Sequence, residues 1–237
     1  MMTEELFRSD SYLTFCSALV VSADSTGIEL DRTVFYATGG GQPGDQGVLR
    51  LTDGQEIHIS GCHKDRESGQ HLHIPAEGAA LPAAGESVTA EINWARRHKL
   101  MRMHSCLHLL CALIDGGVTG GQVGEEKSRL DFDLKDTTLD KKALTGQLNR
   151  LIADNYPVET SFISDAELAM SPDLVRTMSV QPPTGAGQVR LIGIGGVDLQ
   201  PCGGTHVKVT GEIGPVRVGK IENKGKHNRR INVHLET

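Results

Sequence analysis

The sequence has few aromatic residues, no overall positive charge and no long apolar run. Only 4% of its 237 residues are aromatic, whereas 28 are glycine. This balance favours turn-rich β structure with some helix over a helical bundle. The formal net charge is −6, so any nucleic acid must be bound by a local basic patch rather than by the charge of the whole chain.

The missing apolar run also bears on location. No segment approaches the ~18 uninterrupted apolar residues of a membrane span, and "MMTEELFRSDSYLTF" has no basic stretch followed by an apolar one, as a secretory signal would. The five cysteines are scattered and odd in number, unlike a disulfide framework. We therefore expect a cytoplasmic protein with reduced cysteines and no membrane contact.

The hydrophobic pattern changes once along the chain. Residues 1–90 alternate in short segments with turn signals, including an Asp53-Gly54 hairpin signal, which predicts a small β-barrel. From Trp94 the period becomes helical, a second helix is expected at about 138–156, and the last fifty residues alternate as strands. The sequence thus predicts an α+β protein with domains 1–90 and 91–237.

Two pairs of potential metal ligands carry the strongest chemical signal. In "HSCLHLL", His104 and His108 lie one helical turn apart on the same face. In "PCGGTHV", Cys202 and His206 flank two glycines that allow a tight turn. Three imidazoles and one thiolate suit zinc in number and softness, so we expect one Zn²⁺ ion per chain.

Two further cysteines lie near the first pair. Cys106 is rotated by about 200° from His104 around the helix, which excludes it as a ligand, and Cys111 is expected in the core. Four protein ligands usually mark a structural site, whereas catalysis needs an exchangeable position. Three histidines with one cysteine favour chemistry, although spacing alone does not decide this.

The paired motifs, taken together with three other segments, resemble a known family. "HSCLHLL" and "CGGTHV" resemble the zinc motifs of the alanyl-tRNA synthetase editing domain, which the threonyl-tRNA synthetase editing domain shares in weaker form. "FYATGGGQPGDQG", "SRLDFDL" and "GKIENKGKHNRRINV" match the same family in the same order. The resemblance covers about residues 30–237 and points to a freestanding AlaX-type protein with an N-terminal barrel.

This resemblance implies both a fold and an activity. The fold would be a small β-barrel followed by an α/β-sandwich editing domain. The activity would be hydrolysis of mischarged alanine tRNA, with seryl and possibly glycyl esters as substrates at its acceptor end. Zinc would be held at the positions that match the four ligands above, activating water, polarising the carbonyl or positioning the substrate.

The glycine-rich stretch "GGGQPGDQG" needs a separate interpretation. It fits Gly-x-Gly-x-x-Gly literally, but a strand rather than a helix is expected to follow, so we predict no nucleotide cofactor. We expect Gly39, Gly40 and Gly41 to shape the amino-acid pocket. The Thr38 hydroxyl would pair with the serine hydroxyl of the substrate, and Gln42 is a second pocket candidate.

The C-terminal segment supplies the basic patch that the overall charge lacks. We expect a track for the acceptor-end phosphates at Lys220, Lys224, Lys226, Arg229 and Arg230. Two rival functions remain open at this point. One is a zinc hydrolase of small esters, which would not need the basic track, and the other is a non-catalytic tRNA-binding module with a structural zinc.

Overall fold

The computed structural model describes residues 2–135, 138–178 and 187–236. The helices are α1 (Trp94–Leu113), α2 (Lys141–Ala153) and α3 (Asp165–Met170), and short 3₁₀ helices lie at Leu6–Arg8, Pro172–Leu174 and Thr210–Ile213. The strands are β1 (Glu4–Glu5), β2 (Phe15–Asp24), β3 (Gly27–Leu30), β4 (Arg32–Thr33), β5 (Gly47–Leu51), β6 (Glu56–Lys64), β7 (His71–Pro75), β8 (Ser87–Ile92), β9 (Gly117–Gln122), β10 (Lys127–Asp133), β11 (Val158–Ser164), β12 (Gln188–Ile194), β13 (Asp198–Pro201), β14 (Val216–Asn223) and β15 (Asn228–Leu235).

The chain divides into two compact units. The first ends at His98 and the second begins at Lys99, so α1 starts in one unit and continues into the other. The predicted division into functional domains 1–90 and 91–237 stays a prediction. The fold class is α+β, as expected, with a closed barrel in the first unit and two sheets with helices in the second.

Six antiparallel strands of the first unit close into the predicted barrel. Their order around it is β2-β3-β7-β6-β5-β8. Alternate side chains along each strand point inward, which buries Val20, Leu30, Leu49, Ile57 and Ala90 in one core. The short β1 pairs in parallel with β4.

The hairpin between β5 and β6 forms where the sequence predicts it. Gly54 has φ 89°, a left-handed conformation that costs glycine little. The strands on either side pair in register, with Val48 opposite His58. The turn therefore sets the pairing that places one face of both strands in the barrel core.

The glycine-rich stretch is anchored by an ion pair that the sequence did not predict. Arg97, near the start of α1, is fully buried, and its Nε lies 2.9 Å from both carboxylate oxygens of Asp45. The same guanidinium donates to the carbonyl oxygens of Val34 and Ser11. A buried charge needs such a complete set of partners, so Asp45 and Arg97 stabilise the fold.

Helix α1 is buried on almost every side over residues 103–111. The expected stripe of Leu100, Leu107 and Leu110 is fully or almost fully buried, and so are His104 and His108. A helix with no solvent face gives a weak amphipathic signal. Its polar side chains must therefore find partners inside the protein.

The second unit contains two antiparallel sheets. One has the order β14-β15-β10-β9 and the other β11-β12-β13. The predicted "SRLDFDL" strand is β10, in which Leu130 and Phe132 are buried. This arrangement agrees with the expected sandwich of sheets and helices.

Helix α2 is shorter than the predicted 138–156. It begins after Asp140, whose carboxylate accepts hydrogen bonds from the backbone N–H groups of Lys142 and Ala143. It ends before Asn155, which has φ 54°, a left-handed residue of the kind that stops helices. Pro157 therefore follows a helix that has already ended.

Within the described residues, no helix combines the length and the apolar character needed to cross a membrane.

Candidate metal centre

The structure brings the four predicted ligands together in the second unit. One ligand atom from each of His104, His108, Cys202 and His206 lies within 4.8 Å of the other three. The Cys202 Sγ is 3.6 Å from Nε2 of His104 and 3.2 Å from Nε2 of His206. Residues almost one hundred positions apart thus form one compact donor set.

Two elements of the chain supply these donors. Helix α1 presents His104 and His108 one turn apart, with ring centroids separated by 5.4 Å. Cys202 follows the end of β13, and His206 comes four residues later. The His206 ring lies 4.3 Å from the His104 ring and 4.7 Å from the His108 ring, centroid to centroid, so the loop faces the helix.

Asp198 fixes the orientation of His108. Its Oδ2 lies 2.8 Å from Nδ1 of His108, which leaves Nε2 for the centre of the cluster. Gln200 in turn donates from Nε2 to both oxygens of Asp198. A carboxylate behind a histidine is a common support for a metal ligand, because it sets the tautomer and the ring orientation.

Ser105 plays the corresponding part for His206. Its hydroxyl lies 3.1 Å from Nδ1 of His206 and accepts a hydrogen bond from the backbone N–H of Val207 at 3.3 Å. Since Ser105 follows His104 on α1, this helix carries two of the ligands, His104 and His108, and also orients a third, His206. The Nε2 atom of His206 is thereby left facing Cys202.

The turn around the two glycines is held from β12. Arg190 donates from Nη1 to the carbonyl oxygens of Cys202 and Gly204, both at 2.9 Å. The backbone N–H of Gly204 points at the Cys202 sulfur, at 3.4 Å. The guanidinium therefore fixes the loop conformation that presents the thiol.

The surroundings favour a thiolate at Cys202. Burial alone would raise its pKa, but the facing His104 and His206 imidazoles hold that pKa well below the ordinary value. For His206 burial dominates, and together with His104 it keeps the pKa well below the usual range. Burial would also lower the pKa of His108, yet the hydrogen bond to Asp198 and the contact with Cys202 raise it to about 10.

The donor set fits zinc. Imidazole and thiolate are ligands that Zn²⁺ prefers, and four of them complete a tetrahedral shell. Two of the imidazoles already have a hydrogen-bonding partner at Nδ1. Only modest side-chain movement is needed to bring all four ligand atoms to about 2.0–2.3 Å from a common zinc ion.

The neighbouring cysteines stay out of the cluster. Cys106 is fully buried, and burial raises its pKa to about 12. Burial likewise raises the pKa of Cys111 to about 12. Both are therefore neutral thiols in the core, which agrees with the interpretation from sequence.

The predicted pocket residues lie in the first unit, on a tight turn. Gly40 and Gly41 have φ values of 55° and 80°, and the backbones of Gly39 and Gln42 hydrogen-bond to each other across them. Gln42 is buried, whereas Thr38 is exposed. The Thr38 hydroxyl accepts from the N–H of Gly44 at 2.8 Å and keeps its own proton for donation.

The five predicted tRNA-binding residues share one hairpin, formed by β14, β15 and the turn between them. The exposed Lys220 and Lys224 side chains both approach Glu222, at 3.2 and 3.6 Å. Lys226 is exposed on the turn, and Arg229 donates to Asn223. The hairpin therefore presents a basic surface with one carboxylate inside it.

Arg230 differs from the other four residues of this group. Its Nε and Nη2 donate to the two oxygens of Asp131, each at 2.8 Å. Asp131 also accepts from Arg129, and Arg230 is the largest cause of its pKa lying below the ordinary value. The bidentate pair makes phosphate contact a weaker assignment for Arg230 than for the lysines.

Sequence reasoning missed the residues that support the centre. Asp198 lies four positions before Cys202 in "DLQPC", and Ser105 lies beside His104, so both were close to recognised motifs. Their roles depend on which side chain faces which ligand, across 90 residues for Asp198 and His108 and 101 residues for Ser105 and His206. A spacing pattern contains no such information.

Comparison with known families agrees with the two units. Residues 189–232 match a family model described as the threonyl and alanyl tRNA synthetase second additional domain. Residues 13–96 match a model described as tRNA synthetases class II (A). The first match contains the Cys202–His206 motif, and the second covers the barrel.

Individual relatives match over almost the whole chain. The alanyl-tRNA editing protein AlaX-M of Methanosarcina acetivorans is 38% identical over 97% of this chain and 98% of its own length. AlaX-M of Saccharolobus solfataricus is 34% identical with the same coverage. Alanine–tRNA ligase of Pyrobaculum arsenaticum is 34% identical over 93% of this chain but only 25% of the ligase. The chain belongs to the alanyl-tRNA editing protein AlaX family.

Proposed function

We propose that this protein is a trans-editing deacylase that hydrolyses the ester between serine, or glycine, and alanine tRNA. The observation that carries the proposal is the cluster of three imidazoles and one thiol with ligand atoms within 4.8 Å. This cluster lies in a chain 38% identical over nearly its full length to an alanyl-tRNA editing protein.

The proposal includes one zinc ion held by His104, His108, Cys202 and His206. Zinc bound there would polarise the ester carbonyl or position the substrate beside it. The protein's own contribution is to hold the four donors in place. Asp198 keeps the Nδ1 proton on His108, Ser105 bonds to Nδ1 of His206, and Arg190 fixes the loop that bears the thiolate.

Discrimination between amino acids is proposed for the glycine-rich turn. Thr38 has a hydroxyl proton to donate, and its acceptor side already binds the Gly44 N–H. A donor that pairs with the serine hydroxyl is left unpaired by alanine, which disfavours the correctly charged tRNA. Gly39, Gly40, Gly41 and Gln42 would shape the surrounding pocket.

Recognition of the tRNA is proposed for the β14–β15 hairpin. The phosphates of the acceptor end would be bound by the positive charges of Lys220, Lys224, Lys226 and Arg229. Arg230 would contribute less, because its guanidinium is paired with Asp131. We also propose a cytoplasmic location, because all five cysteines are free thiols, as is usual in a reducing compartment. No nucleotide cofactor is needed for ester hydrolysis.

The deciding experiment is single-turnover deacylation by the zinc-loaded protein. Serine-charged and alanine-charged alanine tRNA are compared under identical conditions, and the remaining aminoacyl-tRNA is counted over time. We expect fast loss of serine and slow loss of alanine. Glycine-charged alanine tRNA in a third reaction determines whether the pocket accepts a smaller substrate.

The same experiment separates the two rival functions. Tight binding of alanine tRNA with no loss of any amino acid would indicate a non-catalytic module. Hydrolysis of small amino-acid esters at the same rate as the charged tRNA would indicate a general esterase. In both cases trans-editing would be rejected.

A further inference from the structure

The barrel contains a second cluster of histidine and cysteine side chains, far along the sequence from the first. Cys62, His71 and His73 each offer a ligand atom within 4.8 Å of the others, and all three residues are buried. Cys62 on β6 lies directly opposite His73 on β7, and His71 shares the His73 face because side chains alternate along a strand. The sheet itself therefore builds this cluster.

The two ring nitrogens of His71 differ in their hydrogen bonding. Its Nδ1 lies 3.1 Å from a carboxylate oxygen of Glu5, so in the neutral ring Nδ1 carries the proton and Nε2 has a lone pair. That Nε2 is buried and has no hydrogen-bond partner among the described residues. An unsatisfied buried polar atom destabilises the fold. The neighbouring Cys62 thiol and His73 imidazole are groups that commonly bind metal ions.

His73 is oriented in the same sense. Its Nδ1 lies 2.9 Å from the carbonyl oxygen of Ile28, which can only accept a hydrogen bond, so in the neutral ring Nδ1 carries the proton and Nε2 has the lone pair. The Thr33 hydroxyl lies 2.8 Å from this Nε2 and donates to it, so a metal ion bound at Nε2 would replace that hydrogen bond.

The backing groups follow the pattern seen behind metal ligands. A carboxylate lies behind His71 and a backbone carbonyl behind His73, the two commonest partners of coordinating imidazoles. The carboxylate also accepts from Lys64 at 2.9 Å and from Arg8. The parallel pairing of β1 with β4 places Glu5 opposite Thr33, so two short strands complete the surroundings.

We propose that the barrel binds a second Zn²⁺ ion through Sγ of Cys62 and the Nε2 atoms of His71 and His73. The Thr33 hydroxyl, next to His73 Nε2, or a water would complete the coordination. Zinc bonds of about 2.0–2.3 Å place tetrahedral ligand atoms about 3.3–3.8 Å apart, so binding draws the side chains inward by at most about 1 Å. Such a buried site stabilises the barrel and does not require the proposed editing activity.

The test counts zinc in a background that lacks the first site. In the Cys202→Ser/His206→Ala double variant, metal analysis after zinc loading and dialysis should find one zinc per chain, against two in the wild type. Adding Cys62→Ser or His71→Gln should reduce that count to none. Adding Cys16→Ser, which removes a barrel cysteine outside the cluster, should leave it unchanged.

A spectroscopic measurement supports the count. Cobalt bound in the double variant should show a thiolate-to-cobalt charge-transfer band that disappears with Cys62→Ser and persists with Cys16→Ser. Circular dichroism confirms that each variant is folded. A folded double variant that retains no zinc overturns the proposal, and so does residual zinc that survives both Cys62→Ser and His71→Gln.

Discussion

The two units each place a cysteine beside histidines, and the two clusters differ in the pKa of that cysteine. In the second unit Cys202 faces His104 and His206, which hold its pKa well below the ordinary value. In the barrel Cys62 is enclosed by the apolar core, and burial raises its pKa well above that value. The surroundings therefore favour the thiolate form of the cysteine in the second unit and the neutral thiol in the barrel.

The clusters also share a feature. Each contains a histidine whose Nδ1 is held by a carboxylate, Asp198 behind His108 and Glu5 behind His71. Asp198 is supported by the neutral amide of Gln200, whereas Glu5 also binds the cations of Lys64 and Arg8. The roles that we propose for them differ as well, catalysis at the first site and stability at the second.

The most direct test of the two proposed roles is to replace one cysteine at a time. We expect Cys202→Ser to slow deacylation of serine-charged tRNA by more than about 100-fold, since even groups behind a metal ligand contribute about 10- to 100-fold. Cys62→Ser should leave the rate within about threefold while lowering the melting temperature. Equal loss of activity in both variants, measured by single turnover with folded protein, would contradict the division of roles.

A smaller effect is expected at the carboxylates. Asp198→Asn keeps the side-chain size but loses the charge behind His108, so zinc affinity at this centre should fall about 10- to 100-fold. Competition with a chromophoric chelator measures the change. Glu5→Gln and the exposed Asp115→Asn are the matched controls, and a similar loss in either would remove the special status of Asp198.

The basic hairpin should affect binding rather than chemistry. Lys220→Glu combined with Lys226→Glu should weaken alanine tRNA binding by about tenfold and reduce the slope of log affinity against log salt by about 1–2. Filter binding at several salt concentrations gives both values. Lys141→Glu with Lys142→Glu, on α2, changes the net charge equally, so a matching loss there would show that the hairpin is not a dedicated site.

The barrel loop should affect selectivity. Thr38→Val removes the proposed donor to the serine hydroxyl and should reduce the preference for serine over alanine by about 3- to 10-fold, the value of one neutral hydrogen bond. Thr38→Ser keeps the hydroxyl and should keep the preference. Single-turnover deacylation rates are measured for serine-charged and alanine-charged tRNA. An unchanged ratio of these two rates in Thr38→Val would exclude this residue from amino-acid discrimination.

The smallest effect is expected at Arg230, in stability. Arg230→Gln breaks the bidentate pair with Asp131 and should lower the free energy of unfolding slightly, whereas Arg229→Gln removes a charge without breaking that pair. Because the pKa of Asp131 is lowered in the folded state, the contribution is complete above its ordinary value of 3.8 and is lost as the pH falls below it. Urea unfolding at pH 7 and pH 3.5 should show the difference between the variants shrinking at the lower pH.

The parts that the sequence could predict are those encoded locally. Alternation with an Asp53-Gly54 turn indicated the barrel, and two ligand pairs of four-residue spacing indicated the metal centre, because each signal lies within a single element. The contact of Asp198 with His108 joins segments ninety residues apart, and the contacts of Arg190 with Cys202 and of Cys62 with His73 depend on the register between neighbouring strands. Patterns within one segment do not determine that register, so these contacts required the structure.

The ion pair between Asp45 and Arg97 has a consequence for genetics. Asp45 lies inside the glycine-rich stretch that resembles an editing motif, yet its carboxylate accepts hydrogen bonds from the fully buried guanidinium of Arg97. Removing one partner of such a pair typically costs about 3–5 kcal/mol. In a genetic selection for inactive variants, substitutions at Asp45 should therefore appear because they lower the amount of folded protein. Measuring the protein in each cell extract distinguishes them from substitutions that change the pocket itself.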